Sequence, residues 1–118
     1  MIRFVRAPFT CIGTGWVASA ATHIFLAAPR ERRLCLPNTR FMIHQPAGGA
    51  GGRATDIAIQ AKEIIKVRER LAGVIARETG QPAEKVRADM ERDYWMTADE
   101  AIAYGIAARV IVNQKELD

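Results

Sequence analysis

Ile57, Ala61, Ile64, Arg68, Leu71 and Ile75 recur at alternating steps of four and three. That is the period of an α-helix that turns one side toward a core. Ile65 and Val74 broaden the stripe, Thr55 or Asp56 is suited to cap its start, and Gly80 is suited to end it. The spacing therefore predicts a long helix running to about Glu78. Such a helix exceeds what one small domain needs. In a chain of 118 residues, 49% of them apolar, one of its faces is expected to meet another subunit or the rest of a larger fold.

Shorter elements surround it. Residues 9–13 (FTCIG) read as a buried strand ended by Gly13-Thr14-Gly15, and the Ala-rich run from Ala18 to Ala28 reads as a buried helix stopped by Pro29. Arg30 to Arg33 is a polar turn. Leu34-Cys35-Leu36 and Phe41-Met42-Ile43 read as strands separated by a Pro37-Asn38 turn. Beyond the long helix, Pro82 suits the first position of a helix reaching about Met90. Thr97-Ala98-Asp99-Glu100 forms a capping box for a helix ending at Gly105, and Arg109 to Val112 is a last strand. Short strands alternating with helices predict an α/β architecture with parallel pairing.

Composition removes several classes. The net charge is +4, but the arginines are spread from Arg3 to Arg109. The one cluster, Arg30, Arg32 and Arg33, has no interleaved aromatic residue, so a solvated loop or an ion-paired interface is expected rather than nucleic-acid binding. No apolar run approaches the roughly 18 residues of a membrane helix. Residues 1–20 imitate a secretory leader through Arg3, Arg6 and Ala18-Ser19-Ala20, yet Pro8, Thr10, Gly13, Thr14 and Gly15 interrupt the apolar stretch. Cys11 and Cys35 lack metal-ligand or redox spacing and read as buried thiols of a reducing cytosol. Gly48 to Gly52 lacks the Lys-Ser/Thr of a phosphate loop and the spacing of a dinucleotide site. Glycines there let a backbone approach closely, as when an extended peptide adds as a strand.

The residues capable of chemistry are few. Ser19 lies where a strand-turn passes into a helix, beside free N–H groups and the positive end of the helix dipole, which stabilise an oxyanion. Two readings stand there, a nucleophile and an ordinary N-cap serine. The surroundings are not the Gly-x-Ser-x-Gly elbow of α/β-hydrolases. His44, at a strand end before Gln45-Pro46, is either a general base or a structural histidine. His23 is four residues after Ser19 on the same helix, close enough to bond it, but a base there points back along the helix, so packing is the expected role. Asp93, at a helix end before Tyr94-Trp95-Met96, is expected to be partly buried and suits a carboxylate that orients an imidazole. Glu63, Glu69 and Glu84 read as solvated, Asp99 and Glu100 as capping residues.

Together these segments resemble the Clp protease proteolytic subunit family, the peptidase chambers of ATP-dependent bacterial and organellar proteases. The resemblance is carried by Gly15-x-x-Ala18-Ser19, Leu36-Pro37-Asn38, Met42-Ile43-His44-Gln45-Pro46, Gly48-Gly49, Ala54-Thr55-Asp56-Ile57, Thr79-Gly80-Gln81 and Glu91-Arg92-Asp93, with Ala101 to Gly105 after it. It covers residues 9 to about 112, and the steps between Ser19, His44 and Asp93 suit the family without insertions. The order Ser, His, Asp also differs from that of the familiar hydrolase folds.

The resemblance implies a crotonase-like fold, with Ser19 as nucleophile, His44 as base and then acid, and Asp93 orienting His44. The Ala20 N–H would be one oxyanion donor, and Gly48 and Gly49 would pair with a peptide substrate. The long helix would be the handle between two stacked heptameric rings. Implied with them are cytoplasmic quality-control proteolysis of unfolded polypeptides and an AAA+ unfoldase partner. The peptidase itself would need no cofactor and no metal, since ATP belongs to the unfoldase.

The sequence also departs from the family. Ala20 stands where Met is common, Trp16 and Val17 are bulkier than usual, and His23 replaces an apolar residue. Residues 1–118 correspond to a single, incomplete peptidase domain. The first two-fifths of a family chain has no counterpart, including the entrance loops and the Gly-rich segment that supplies a second oxyanion donor. Losing one donor costs ~10²–10³ in rate. Met1 falls where the family leaves an internal helix, so an incomplete gene product or a mis-called start is expected. The alternative function is a shortened, non-catalytic subunit carried in rings of a full-length paralogue.

Overall fold

The computed structural model describes residues 2–46 and 51–117. Two consecutive strands, β1 (Cys11–Gly13) and β2 (Trp16–Ala18), lie in different three-stranded sheets. The break between them is Gly15, at φ 61°, a left-handed backbone that a residue without Cβ adopts freely. Gly13 is also constrained, because a Cβ there would lie 3.1 Å from Val17 and 3.2 Å from Phe41. After helix α1 (Ala20–Phe25), β3 (Arg33–Cys35) and β4 (Arg40–Ile43) repeat the same division. β1 pairs in parallel with β3, and β2 with β4. The bend between β1 and β2 is held from the second strand pair. Leu36 N–H and the Thr39 hydroxyl donate to the Gly13 carbonyl, and Arg40 N–H donates to that of Gly15.

Helix α2 (Ala54–Thr79) and helix α3 (Ala83–Met90) follow, then β5 (Tyr94–Met96), helix α4 (Ala98–Tyr104) and β6 (Arg109–Val110). β6 completes the first sheet in parallel with β3, whereas β5 pairs antiparallel with β4. The expectation of parallel pairing therefore fails at β5. A chain returning from α3 at the end where β4 finishes can only run back along it. β2 and β5 were not read as strands from sequence. Each is three residues long, too short for alternation to register.

The core is formed by Val17, Phe25, Leu26, Phe41, Ile43, Ile75, Val86, Met90, Met96 and Ile106, among others. Phe25 and Phe41 meet edge to face at 5.3 Å. Cys35 is buried but Cys11 only half-buried. Helix α2 has the expected extent, with Gly80 at φ 79° closing it. Its N-cap is Arg53 rather than Thr55 or Asp56, without a side-chain cap bond. Only its C-terminal half is packed, through Ala72, Ile75 and Thr79, while Ile57, Ile59, Ile65 and Val67 are exposed. Pro82 precedes α3 as its N-cap instead of occupying its first turn. The Thr97–Glu100 capping box forms in both directions. Among the described residues no helix is long and apolar enough to cross a membrane.

Candidate active site

The site begins with the passage from β2 into α1. Ser19 fills that one-residue junction at φ 60°, ψ −121°. It is the only non-glycine residue with positive φ among the described residues. A side-chain-bearing residue pays about 1–3 kcal/mol for such a backbone, which persists only when its surroundings hold it. Two anchors do so. Ser19 N–H donates to the Met42 carbonyl at 3.3 Å, carrying the β2–β4 pairing one residue further. The hydroxyl of Thr22, wholly buried, is 2.8 Å from the Met42 carbonyl oxygen and 3.1 Å from that of Val17. Thr22 thus ties α1 to both strands.

With the backbone so turned, the Ser19 side chain makes no cap bond to α1. Its Oγ lies 2.7 Å from His44 Nε2. The ordinary N-cap reading is therefore set aside: the hydroxyl meets an imidazole instead of the helix end. His44 is the first residue beyond β4, and the next residue fixes its position. Gln45 N–H donates to the Met90 carbonyl at 2.6 Å, and Gln45 Nε2 donates to that of Glu91 at 2.9 Å. The strand end is clamped to the end of α3. A serine hydroxyl donating to Nε2 leaves the ring proton on Nδ1. Ala20, the first residue of α1, has a backbone N–H with no partner within the helix.

Asp93 is the residue just before β5, as His44 is the residue just after β4. The antiparallel register ends with Ile43 opposite Tyr94, and beyond it the Gln45 N–H turns to the Met90 carbonyl. The Asp93 side chain is exposed, however, not partly buried, and no hydrogen bond joins it to His44 among the described residues. The bulky residues after it, expected to bury it, turn elsewhere. Met96 enters the core and Trp95 packs edge to face on Trp16 at 5.4 Å.

His23 does not bond Ser19, but it stands beside the pair. It lines an open cleft of about 510 Å³ with Ser19, Ala20, Ile43, His44, Pro46 and Leu71. Burial, and secondarily the positive charge that His44 can carry, hold its imidazole below the usual pKa. Gly48 and Gly49 lie outside the described residues. Among those described, no three His, Cys, Asp or Glu side chains gather closely enough for a metal ion. Thr22 and Gln45 were not singled out from sequence as positioning residues. The available signal was a lone hydroxyl at a buried position of an Ala-rich helix.

Comparison with known proteins identifies the family. The family model described as Clp protease matches residues 1–114. The ATP-dependent Clp protease proteolytic subunit 3 of Rhizobium etli is 56% identical over 117 residues, covering 99% of this chain and 60% of that protein. Subunit 2 of Gluconobacter oxydans is 60% identical over 119 residues, covering 99% and 53%. The solved structure of a ClpP1 mutant from Listeria monocytogenes is similar with a TM-score of 0.91 at 48% identity, over 99% of this chain and 64% of that one. The chain thus spans between a half and two-thirds of the length of these relatives. Matched over residues 1–114, the chain belongs to the Clp protease family.

Proposed function

We propose that the chain is a proteolytic subunit of an ATP-dependent serine endopeptidase that hydrolyses unfolded polypeptides in protein quality control. The observation that carries this reading is the 2.7 Å contact between Ser19 Oγ and His44 Nε2, made by a serine whose backbone is strained for it. In this reading Ser19 Oγ attacks the scissile carbonyl carbon while His44 Nε2 takes its proton. The Ala20 N–H donates to the oxyanion of the tetrahedral intermediate. The intermediate collapses, His44 protonates the departing amine, and an acyl-serine remains. Water, deprotonated by His44, then releases the acid and restores the hydroxyl. Asp93, the residue before β5 as His44 is the residue after β4, turns its carboxylate to Nδ1 and stabilises the imidazolium. Gly48 and Gly49 pair with the peptide as a strand. No step requires a cofactor.

The same reading places the chain in stacked heptameric rings in the cytoplasm, fed by an AAA+ unfoldase that uses ATP. The names of the relatives, proteolytic subunits of ATP-dependent Clp proteases, support it. So does the uncovered apolar half of α2, which suits a handle between rings. A second reading draws on the same uncovered helix together with the chain's shorter span: an accessory subunit carried in rings of a longer relative.

Hydrolysis of a quenched unstructured peptide separates the two. The catalytic reading expects turnover that falls by at least about 10³ in Ser19→Ala and in His44→Ala. Co-assembly with a longer subunit, with turnover untouched by Ser19→Ala, supports the accessory role.

A further inference from the structure

Tyr104, the last residue of α4, is buried, and its contacts reach both ends of α3. Its backbone carbonyl accepts from Gln81 Nε2 at 2.9 Å, just ahead of that helix. Its hydroxyl donates to Asp89 Oδ2, also at 2.9 Å, in the last turn. Lys85 donates to the same carboxylate oxygen at 2.9 Å and sets its ammonium 5.2 Å from the centre of the Tyr104 ring. Burial first, and then the bond to Asp89, raise the Tyr104 pKa, so the phenol stays a donor throughout the neutral range. A hydrogen bond to an ionised acceptor is roughly twice as strong as one between neutral groups.

The last turn of α3 is where the candidate site is held. Met90 and Glu91, the two residues after Asp89, offer the carbonyl groups that receive Gln45, and Gln45 directly follows His44. Asp93 comes two residues after Glu91. Tyr94, next to Asp93, places its ring 6.0 Å from that of Tyr104. One side chain therefore braces the neighbours of both His44 and Asp93, while no hydrogen bond joins it to either among the described residues. Placement matters at such a site, because a shift of about 1 Å caused by a distant change can cost about 10²-fold in rate.

We propose that Tyr104 is a positioning residue for the reaction: its hydroxyl, latched to Asp89, fixes the end of α3 and thereby the placing of His44 against Ser19. This rests on the reading of Ser19 and His44 as a peptidase centre.

The test follows modification of Ser19 in the full chain by a peptidyl phosphonate over a range of concentrations. The limiting rate constant is thereby separated from the half-saturating concentration, and both from the amplitude, which counts the chains able to react. Loss of folded protein lowers the amplitude alone. Tyr104→Phe keeps the ring and the backbone carbonyl and removes only the donor. Its limiting rate constant is expected to fall about tenfold, with the other two quantities unchanged. Asp89→Ala should show the same loss, and the double variant no more than either single one. Asp89→Asn keeps an oxygen for the hydroxyl and should recover most of the rate. The Gln45 N–H should also exchange with solvent faster in Tyr104→Phe. An unaltered limiting rate constant in Tyr104→Phe, a change in amplitude alone, or single losses that multiply in the double variant would overturn the proposal and leave the peptidase reading intact. Failure of the unaltered chain to react at Ser19 would remove that reading and the proposal with it.

Discussion

At the scale of single residues, the geometry of the site depends on one buried hydroxyl. Thr22 reaches the carbonyl groups of Met42 and Val17 and so fixes the start of α1, hence Ser19, against the strand that carries His44. Thr22→Val keeps the shape and removes the donor, leaving two strand carbonyls without it. The expected loss is about 1–3 kcal/mol of stability in urea unfolding, with slower labelling of Ser19. An unchanged midpoint would mean that the anchor contributes nothing. The Ser19–His44 contact was legible in the sequence because a hydroxyl at a helix start and an imidazole at a strand end are residue types that can form such a pair. Thr22 was not, because a threonine in an Ala-rich helix reveals its partners only once β2 and β4 are folded beneath it. The exposure of Asp93 was misjudged for a related reason. Bulky neighbours suggested a lid over it, but alternation along β5 turns Tyr94 and Met96 to the core and Trp95 to the other face.

At the scale of elements, the helices and the strands β1, β3, β4 and β6 announced themselves, and β2 and β5 did not. The extent of α2 and both ends of α4 were readable from periodicity and capping chemistry, which are local. The division of the strands between two sheets is set by long-range pairing, and three-residue strands carry too little pattern to show it. The close of α4 gives a sharp test of the local logic. Gly105 takes φ 103°, and a Cβ there would collide with the backbone carbonyl of Thr79. Gly105→Ala therefore combines a strained backbone with an overlap against a second helix end, and is expected to destabilise the chain by about 3 kcal/mol. Thermal or urea unfolding within about 0.5 kcal/mol of the unaltered chain would show that the Thr79 carbonyl yields freely.

At the scale of the whole molecule, α2 is about 39 Å long at the usual helical rise, and much of its N-terminal half lies away from the core. The sequence anticipated this, since the stripe was longer than one small domain could cover. Ile65 is 52% exposed. On an isolated chain Ile65→Glu should change stability by less than about 0.5 kcal/mol, whereas across an interface it places a charge against apolar surface. Sedimentation velocity is expected to show smaller species for this variant. An unchanged distribution would remove that face of α2 from any assembly. The proposed function requires above all that one hydroxyl act as a nucleophile, and peptide mapping after treatment with a fluorophosphonate tests this most directly. The account expects a single adduct on Ser19, lost in His44→Ala. An adduct on another residue, or none on the folded chain, would contradict it.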